Sequence, residues 1–239
     1  MPGMAAADRF VGCYLLNEGS GIKAYDSSGR RHTGVLTGGV SWTSGKYGGA
    51  IALNKAAFGH IVIADHADFS PVLMPYSVSM SVKMNDATQF PLVSKGVPGV
   101  DSEYRFFLGG TDKAYCNFYT ESTTKYIGRL HDTALTIYQS LWVNFVMTYD
   151  GGVLSSGLKI YLNGLQIDDT DHEAPVFTGV EDQAGPVLIG RRNANYADGD
   201  FDYVMIWNCA PSAYEIDRLI REPFYMFPEP VRPEIIIAA

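Results

Sequence analysis

The side chains that could do chemistry in this chain fall into three groups: acids, aromatics beside planar polar groups, and short oxygen-bearing turns. A retaining glycosidase needs two carboxyl groups roughly 5 Å apart, and Glu215-Ile-Asp217 superficially offers such a pair. The match fails twice. The position that would complete an i, i+2, i+5 set is Ile220, and the segment reads as a capped helix, on which residues i and i+2 point about 200° apart. Glu181-Asp182 and Asp168-Asp169-Thr-Asp171 are loop acids without an obvious partner, and no nucleophile elbow is present. His32, His60, His66, His131 and His172 lie apart in sequence and show no ligand spacing.

Glycan binding needs aromatic platforms beside planar polar groups, because a sugar offers an apolar face and a ring of hydroxyls. Tyr115, Tyr119 and Tyr126 lie on candidate central strands. Arg191, Arg192, Asn193, Asn195 and Tyr196 lie on a segment before the last strand, with Asp198 and Asp200 following; it is polar, lacks strand patterning and is expected to be exposed. The plainer reading makes Tyr115 and Tyr119 filler in the body of a sandwich. Trp42, Trp142 and Trp207 sit in strand contexts and read as core. Calcium wants about six to eight oxygens from carboxylates, carbonyls and waters. The turns at 17–21 and 26–29 supply such groups through Asn17, Asp26 and Ser28, and Asp202 would join them if the terminal strands pair. The alternative is that Asp26 and Ser28 are turn formers satisfying their own backbone.

The elements that must hold these residues are strands. In Tyr76–Met84, Val78, Met80, Val82 and Met84 fall on one face and Ser77, Ser79, Ser81 and Lys83 on the other, the period of a half-buried strand. Further strands are expected over 10–17, 50–53, 60–64, 89–95, 104–108, 114–120, 125–130, 141–149, 158–162, 165–169, 187–190 and 201–207, separated by Gly-, Pro- and Asp-containing turns. Asn163-Gly164 is a strong hairpin signal, since a type I′ turn needs positive φ twice. One helix is expected: Ser212 and Glu215 form a capping box, Ile216, Leu219 and Ile220 an apolar stripe, and Pro223 a stop. It is short and is expected to close one end of the body. Beyond it, prolines at 223, 228, 230 and 233 favour an extended arm carrying Phe224, Tyr225, Met226, Phe227 and Ile235–Ile237. So apolar an arm is expected to dock, on its own domain or on a neighbouring chain.

Bulk properties bound the rest. A chain of 239 residues suits one sandwich, and composition is ordinary at 46% hydrophobic and 18% charged, with aromatics at 13% favouring strands. The net charge is −8, and basic residues cluster only as Arg30-Arg31 and Arg191-Arg192, which argues against a nucleic-acid partner. Cys13, Cys116 and Cys209 lack ligand spacing and read as small buried hydrophobes, although a Cys13–Cys209 bridge is conceivable if the terminal strands pair. The N-terminus carries no basic and apolar run of the secretory kind, and no stretch reaches the roughly 20 apolar residues of a membrane helix. A soluble chain is expected, used without signal-directed export or clipped from a longer secreted parent.

Six stretches, in order, resemble the laminin-G-like, concanavalin A-like family of β-sandwich domains: Tyr14–Gly21 with Tyr25–Gly29; Trp42 with Gly45–Gly48; Leu92–Gly96 leading to Tyr104–Phe106; Leu141–Gly151 with Leu158–Gly164; Pro186–Asn193; and Phe201–Ser212 with its helix. Two departures stand out: Asp202-Tyr203 occupies the place of an acidic pair, and Arg30-Arg31-His32 that of small polar residues. The resemblance implies a non-catalytic module that binds glycans or proteins, or serves as a spacer, with one Ca²⁺ near the junction of first and last strands. The fold also hosts glycanases of the i, i+2, i+5 kind. The closing segment from Glu215 to Phe227 resembles the ends of such domains in tailed-phage and viral structural proteins.

The reading is therefore all-β: a two-sheet antiparallel jelly-roll sandwich over residues 9–222, preceded by a tail (1–8), ending in one short helix and followed by an arm (223–239). Expected ligand-binding residues are Tyr115, Tyr119, Arg191, Arg192, Asn193, Asn195 and Tyr196. Expected calcium ligands are Asn17, Asp26, Ser28 and Asp202. The expected role is a surface or recognition module, a virion decoration or tail-associated protein that contacts glycans and meets other particle subunits through its arm. The alternatives are a carbohydrate-binding module of a secreted glycan-processing protein and, last, a glycoside hydrolase. The expected location is a virion surface or the extracellular space, without membrane insertion.

Overall fold

The structure, a computed structural model, describes residues 9–97 and 99–225. The expected tail at 1–8, and the arm beyond Tyr225, lie outside the described residues. Two large antiparallel sheets face each other. The first runs Leu165–Gln166, Leu158–Leu162, Trp142–Tyr149, Tyr76–Met84, Gly199–Trp207, Gly49–Leu53, Val40–Ser44, with Phe10–Tyr14 also paired to Gly199–Trp207. The second runs Thr170–Asp171, Lys125–Leu130, Ala114–Thr120, Tyr104–Leu108, Pro91–Lys95, Val187–Ile189, His60–Ile63, Gly34–Thr37, Lys23–Ala24. This is the expected jelly-roll sandwich.

Period-two patterning builds the core. Val78, Met80, Val82 and Met84 face Tyr104, Phe106, Leu108, Cys116 and Phe118 of the other sheet, all buried in one cluster. Phe106 meets Phe145 edge-on at 5.7 Å between ring centres. The terminal strands pair as the sequence implied, with Phe10 opposite Trp207, Cys13 opposite Met205 and Tyr14 opposite Val204. Asn163 and Gly164 both adopt positive φ, 50° and 86°, and join Leu162 to its partner Leu165. The short strands Lys23–Ala24, Gly34–Thr37 and Thr170–Asp171 lack strong alternation and were not expected, nor was the hairpin Arg191–Arg192 with Asn195–Tyr196, which stands where an irregular loop was expected; Val40–Ser44 was expected only as the strand context of Trp42.

The helix Ala213–Arg221 has its capping box: Glu215 N–H donates to Ser212 Oγ at 3.3 Å, and Ser212 N–H donates to the Glu215 carboxylate at 2.8 Å. It does not close an end of the sandwich. Ile216 and Leu219 lie against Val146, Tyr203 and Met205, so the helix roofs the outer face of the first sheet. Beneath that face Ser77, Ser79 and Ser81 are buried; their small side chains bring the roof close. All three cysteines are free thiols, and the conceivable Cys13–Cys209 bridge is not formed. Burial pushes the Cys116 thiol up to about 12. No helix among the described residues is long and apolar enough to cross a membrane.

Candidate functional site

The outer face of the second sheet has no helix over it among the described residues. Three strands supply it, and their register decides which side chains point outward. Asn117 lies between Arg105 and Gly128, Tyr115 opposite Phe107, and Tyr119 opposite Tyr126. The alternate set, Tyr104, Phe106, Cys116, Phe118 and Ile127, is committed to the core. A fourth contribution comes from far along the chain. Ser94 Oγ donates to the Arg191 carbonyl at 2.9 Å and pins the 191–196 hairpin beside the sheet. The Arg192 guanidinium then lies 3.7 Å from the centre of the Phe107 ring, and Arg105 lies 4.2 Å from that of Tyr119. Together with Asn117, Tyr126 and His172 these residues line an open pocket of about 360 Å³, within the size range of small-ligand sites.

Glycine shapes the floor. A Cβ on Gly128 would lie 2.1 Å from Asn117 Nδ2 and 2.5 Å from the His172 carbonyl oxygen, so only glycine leaves room for that contact. Asn117 Nδ2 donates to His172 Nδ1 at 2.8 Å, which requires a neutral ring; burial lowers the His172 pKa and favours that form. Asn117 Oδ1 and Arg192 Nε are buried and have no hydrogen-bond partner among the described residues. Burial lowers the pKa of both Arg105 and Arg192, and the charge of Arg105 lowers Arg192 further.

The expected ligand-binding residues divide. Tyr119 and Arg192 line the pocket, and Tyr115 stands next to it, stacked on Phe107 at 5.2 Å. Arg191 turns away: it lies over Tyr196 at 5.4 Å, and its Nε donates to the Asn193 carbonyl at 3.1 Å. Asn195 and Tyr196 line a different hollow with Lys55, Phe58 and Asp86. Arg105, Phe107, Asn117 and His172 were missed, although the alternation Arg105, Phe107 and then Tyr115, Asn117, Tyr119 marks a polar and aromatic strand face.

The residues expected to hold calcium sit in two places. Asp26 Oδ1 accepts from the Cys13 and Ser28 amides, both at 2.9 Å, while Oδ2 accepts from Ser28 Oγ at 2.8 Å and the His32 amide at 2.9 Å. Asn17 and Asp202 flank the turn at 45–49, where Asp202 Oδ2 accepts from the Tyr47 amide at 2.8 Å. Burial raises the Asp202 pKa. Both oxygens of Asp26, and Oδ2 of Asp202, thus already accept from N–H or O–H donors. His32 and His66, which sequence spacing kept apart, meet at 4.4 Å between ring centres, next to Asp68. Asp68 Oδ2 is already held by Arg30 at 3.0 Å and His32 at 2.8 Å.

Acids with the geometry of a glycanase pair do not emerge from the expected segment. Glu215 serves the helix cap and an ion pair with Arg9 at 2.6 Å, and Asp217 pairs with Arg221 on the helix surface. A larger hollow of about 730 Å³ is lined by this Arg9–Glu215 pair together with Met74, Pro75 and Asp150. Glu103 is fully buried between Lys95 Nζ at 2.7 Å and Ser70 Oγ at 3.0 Å, and burial pushes its carboxyl up to about 7.

With this geometry in view, the chain was compared with known proteins. A laminin-G model described as the Concanavalin A-like lectin/glucanases superfamily matches residues 55–217. No curated protein matches the chain. Among solved structures, domain 4 of AbnA, a GH43 extracellular arabinanase from Geobacillus stearothermophilus, in complex with arabinotriose, superposes with a TM-score of 0.67 at 19% identity, covering 89% of this chain and 98% of that one. The binding domain of Paraclostridial Mosquitocidal Protein 1 gives 0.68 at 14% identity, covering 92% of this chain and 53% of that one. The binding domain of botulinum neurotoxin DC, in complex with rat synaptotagmin II, gives 0.70 at 10% identity, covering 92% and 53%. The chain thus spans about half the length of these toxin domains. At such identities the likeness is one of fold.

Proposed function

This chain belongs to the concanavalin A-like lectin/glucanases superfamily, and from that premise we propose that it is a non-catalytic recognition module whose ligand is a glycan. The observation that carries this reading is the open pocket on the outer face of the second sheet, where half-buried Tyr126 stands with Tyr119, Asn117 and Arg192, and where Asn117 Oδ1 and Arg192 Nε have no hydrogen-bond partner among the described residues. Aromatic faces beside unpaired donors and acceptors suit a sugar, which brings apolar C–H surface and hydroxyls together. The absence of catalysis is part of the proposal, supported by the use of Glu215 in capping and ion pairing. The arabinanase domain solved with arabinotriose supports a sugar as ligand, and the toxin domains support binding as the general role.

Affinity electrophoresis of the full chain through gels carrying different polysaccharides tests this. At least one polymer is expected to retard it, and Tyr126→Ala should abolish the retardation without lowering the melting temperature by more than a few degrees. If no polymer retards the chain, the reading falls.

The setting we favour is a virion surface or the extracellular space, as part of a larger assembly. One observation bears on attachment. Phe224, the second residue of the expected arm, packs edge-on to Tyr47 and Tyr203, each at 5.8 Å between ring centres, so the arm begins on its own domain beside the helix.

A further inference from the structure

We propose that the pocket on the second sheet is built for an acidic glycan: Arg105 and Arg192 form a two-guanidinium receptor for a carboxylate or sulfate carried on the sugar. This deepens the glycan reading and rests on it. A guanidinium cannot shed its proton in a protein, so two of them brought together in partial burial repel without relief. Both line one pocket, seated on Tyr119 and Phe107 of adjacent strands, and the charge of Arg105 lowers the pKa of Arg192. An anion between them would remove that repulsion and offset the loss of water.

Among the described residues the nearest such charge is Glu121, which lines the pocket and acts on Arg105 without closing an ion pair. Neither arginine has a carboxylate within ion-pair distance, although the chain carries 26 acids against 18 lysines and arginines. Other partly buried arginines are treated differently: Arg9 grips Glu215, and Arg129 grips Asp168 at 2.9 Å and also Asp171.

Donor placement points the same way. Each guanidinium lies against an aromatic ring, Arg105 on Tyr119 and Arg192 on Phe107. Arg105 is further held by its Nε donating to Ser102 Oγ at 3.2 Å. Such seating fixes the planar fork and leaves N–H edges for two oxygens of a carboxylate or sulfate. Arg192 Nε is buried without an acceptor, and Asn117 Oδ1 is buried without a donor. A sugar acid brings an anion to the guanidinium groups that line the pocket. A neutral sugar brings only hydroxyls. The overall charge of −8 and the scatter of the other basic residues disfavour a polyphosphate chain, which needs an extended basic track.

The test uses the full chain in low-salt gels containing polygalacturonate, dextran sulfate, or the neutral polymers galactan and dextran. Retardation by at least one acidic polymer is expected, with apparent affinity at least about 10-fold above that for its neutral counterpart. Arg192→Gln and Arg105→Gln should each erase that preference while melting near the wild type. Which acidic gel responds separates a carboxylate from a sulfate. Equal retardation by acidic and neutral polymers, or an acid preference that survives both substitutions, overturns the acidic-glycan proposal and leaves the glycan reading intact. Retardation by none of the four sinks the acidic-glycan proposal, and failure across a wider neutral panel sinks the glycan reading too. If neither variant folds, the wild-type ratio of acidic to neutral affinity decides alone.

Discussion

Glu103 shows how one side chain can be costly and still retained. It is fully buried next to Lys95, which also binds Asp65 at 2.6 Å and the carbonyls of Gln183 and Gly185. Burial raises the Glu103 carboxyl to about 7, outweighing the pull of the ammonium and of the Gln183 amide. A carboxyl whose pKa is higher folded than unfolded binds its proton more tightly in the native state. Its contribution to stability is therefore complete below about 4.5, its ordinary value, and is lost as the pH rises through about 7. Melting curves at pH 5 and pH 8 should show a fall in wild-type melting temperature that is smaller in Glu103→Gln, where Lys95 keeps its remaining partners. An unchanged pH profile in the variant would contradict this. None of it was legible in advance, because Lys95 and Glu103 sit opposite each other only once two strands and the loop around Gln183 have come together. By contrast Asn163-Gly164 was legible, because its positive φ angles answer to two adjacent residue types.

At the level of elements, local signals succeeded where the structure they describe is local. The capping box of Ser212 and Glu215 closes within four residues, and it is present as read. Ser212→Ala should cost roughly 1 kcal/mol, the usual loss at an N-cap. Urea denaturation followed by tryptophan fluorescence should report it, because the helix packs on the cluster that includes Trp207. No change in midpoint would mean that packing of Ile216 and Leu219 alone holds the helix. The destination of that helix was not legible: its apolar stripe requires a partner surface, and nothing in Ile216, Leu219 and Ile220 distinguishes a sheet face from a sheet end. The pocket-lining face of the second sheet shows the same limit. Tyr115 and Tyr119 could be read as exposed or buried until the register with Arg105 and Tyr126 was known. Arg192 reaches the same face because Ser94 anchors the hairpin at Arg191, 97 positions further along the chain.

For the whole molecule, closure falls to the pairing of the first and last strands. Backbone hydrogen bonds, the packing of Phe10 on Trp207 at 4.6 Å and the turn built around Asp26 make that junction from protein groups. An EDTA-treated sample and a calcium-loaded one are therefore expected to melt at the same temperature; a rise with calcium would return Asp26 or Asp202 to the role of ligand. The two sheets differ in how their outer faces are finished, and that difference gives the domain a back and a front. Arg9 and Phe224 both lie on the roofed side, tied to Glu215 and Tyr203. Whatever is held at Arg9 or Phe224 would sit behind the domain, and the opposite side would stay turned outward toward whatever passes in solution.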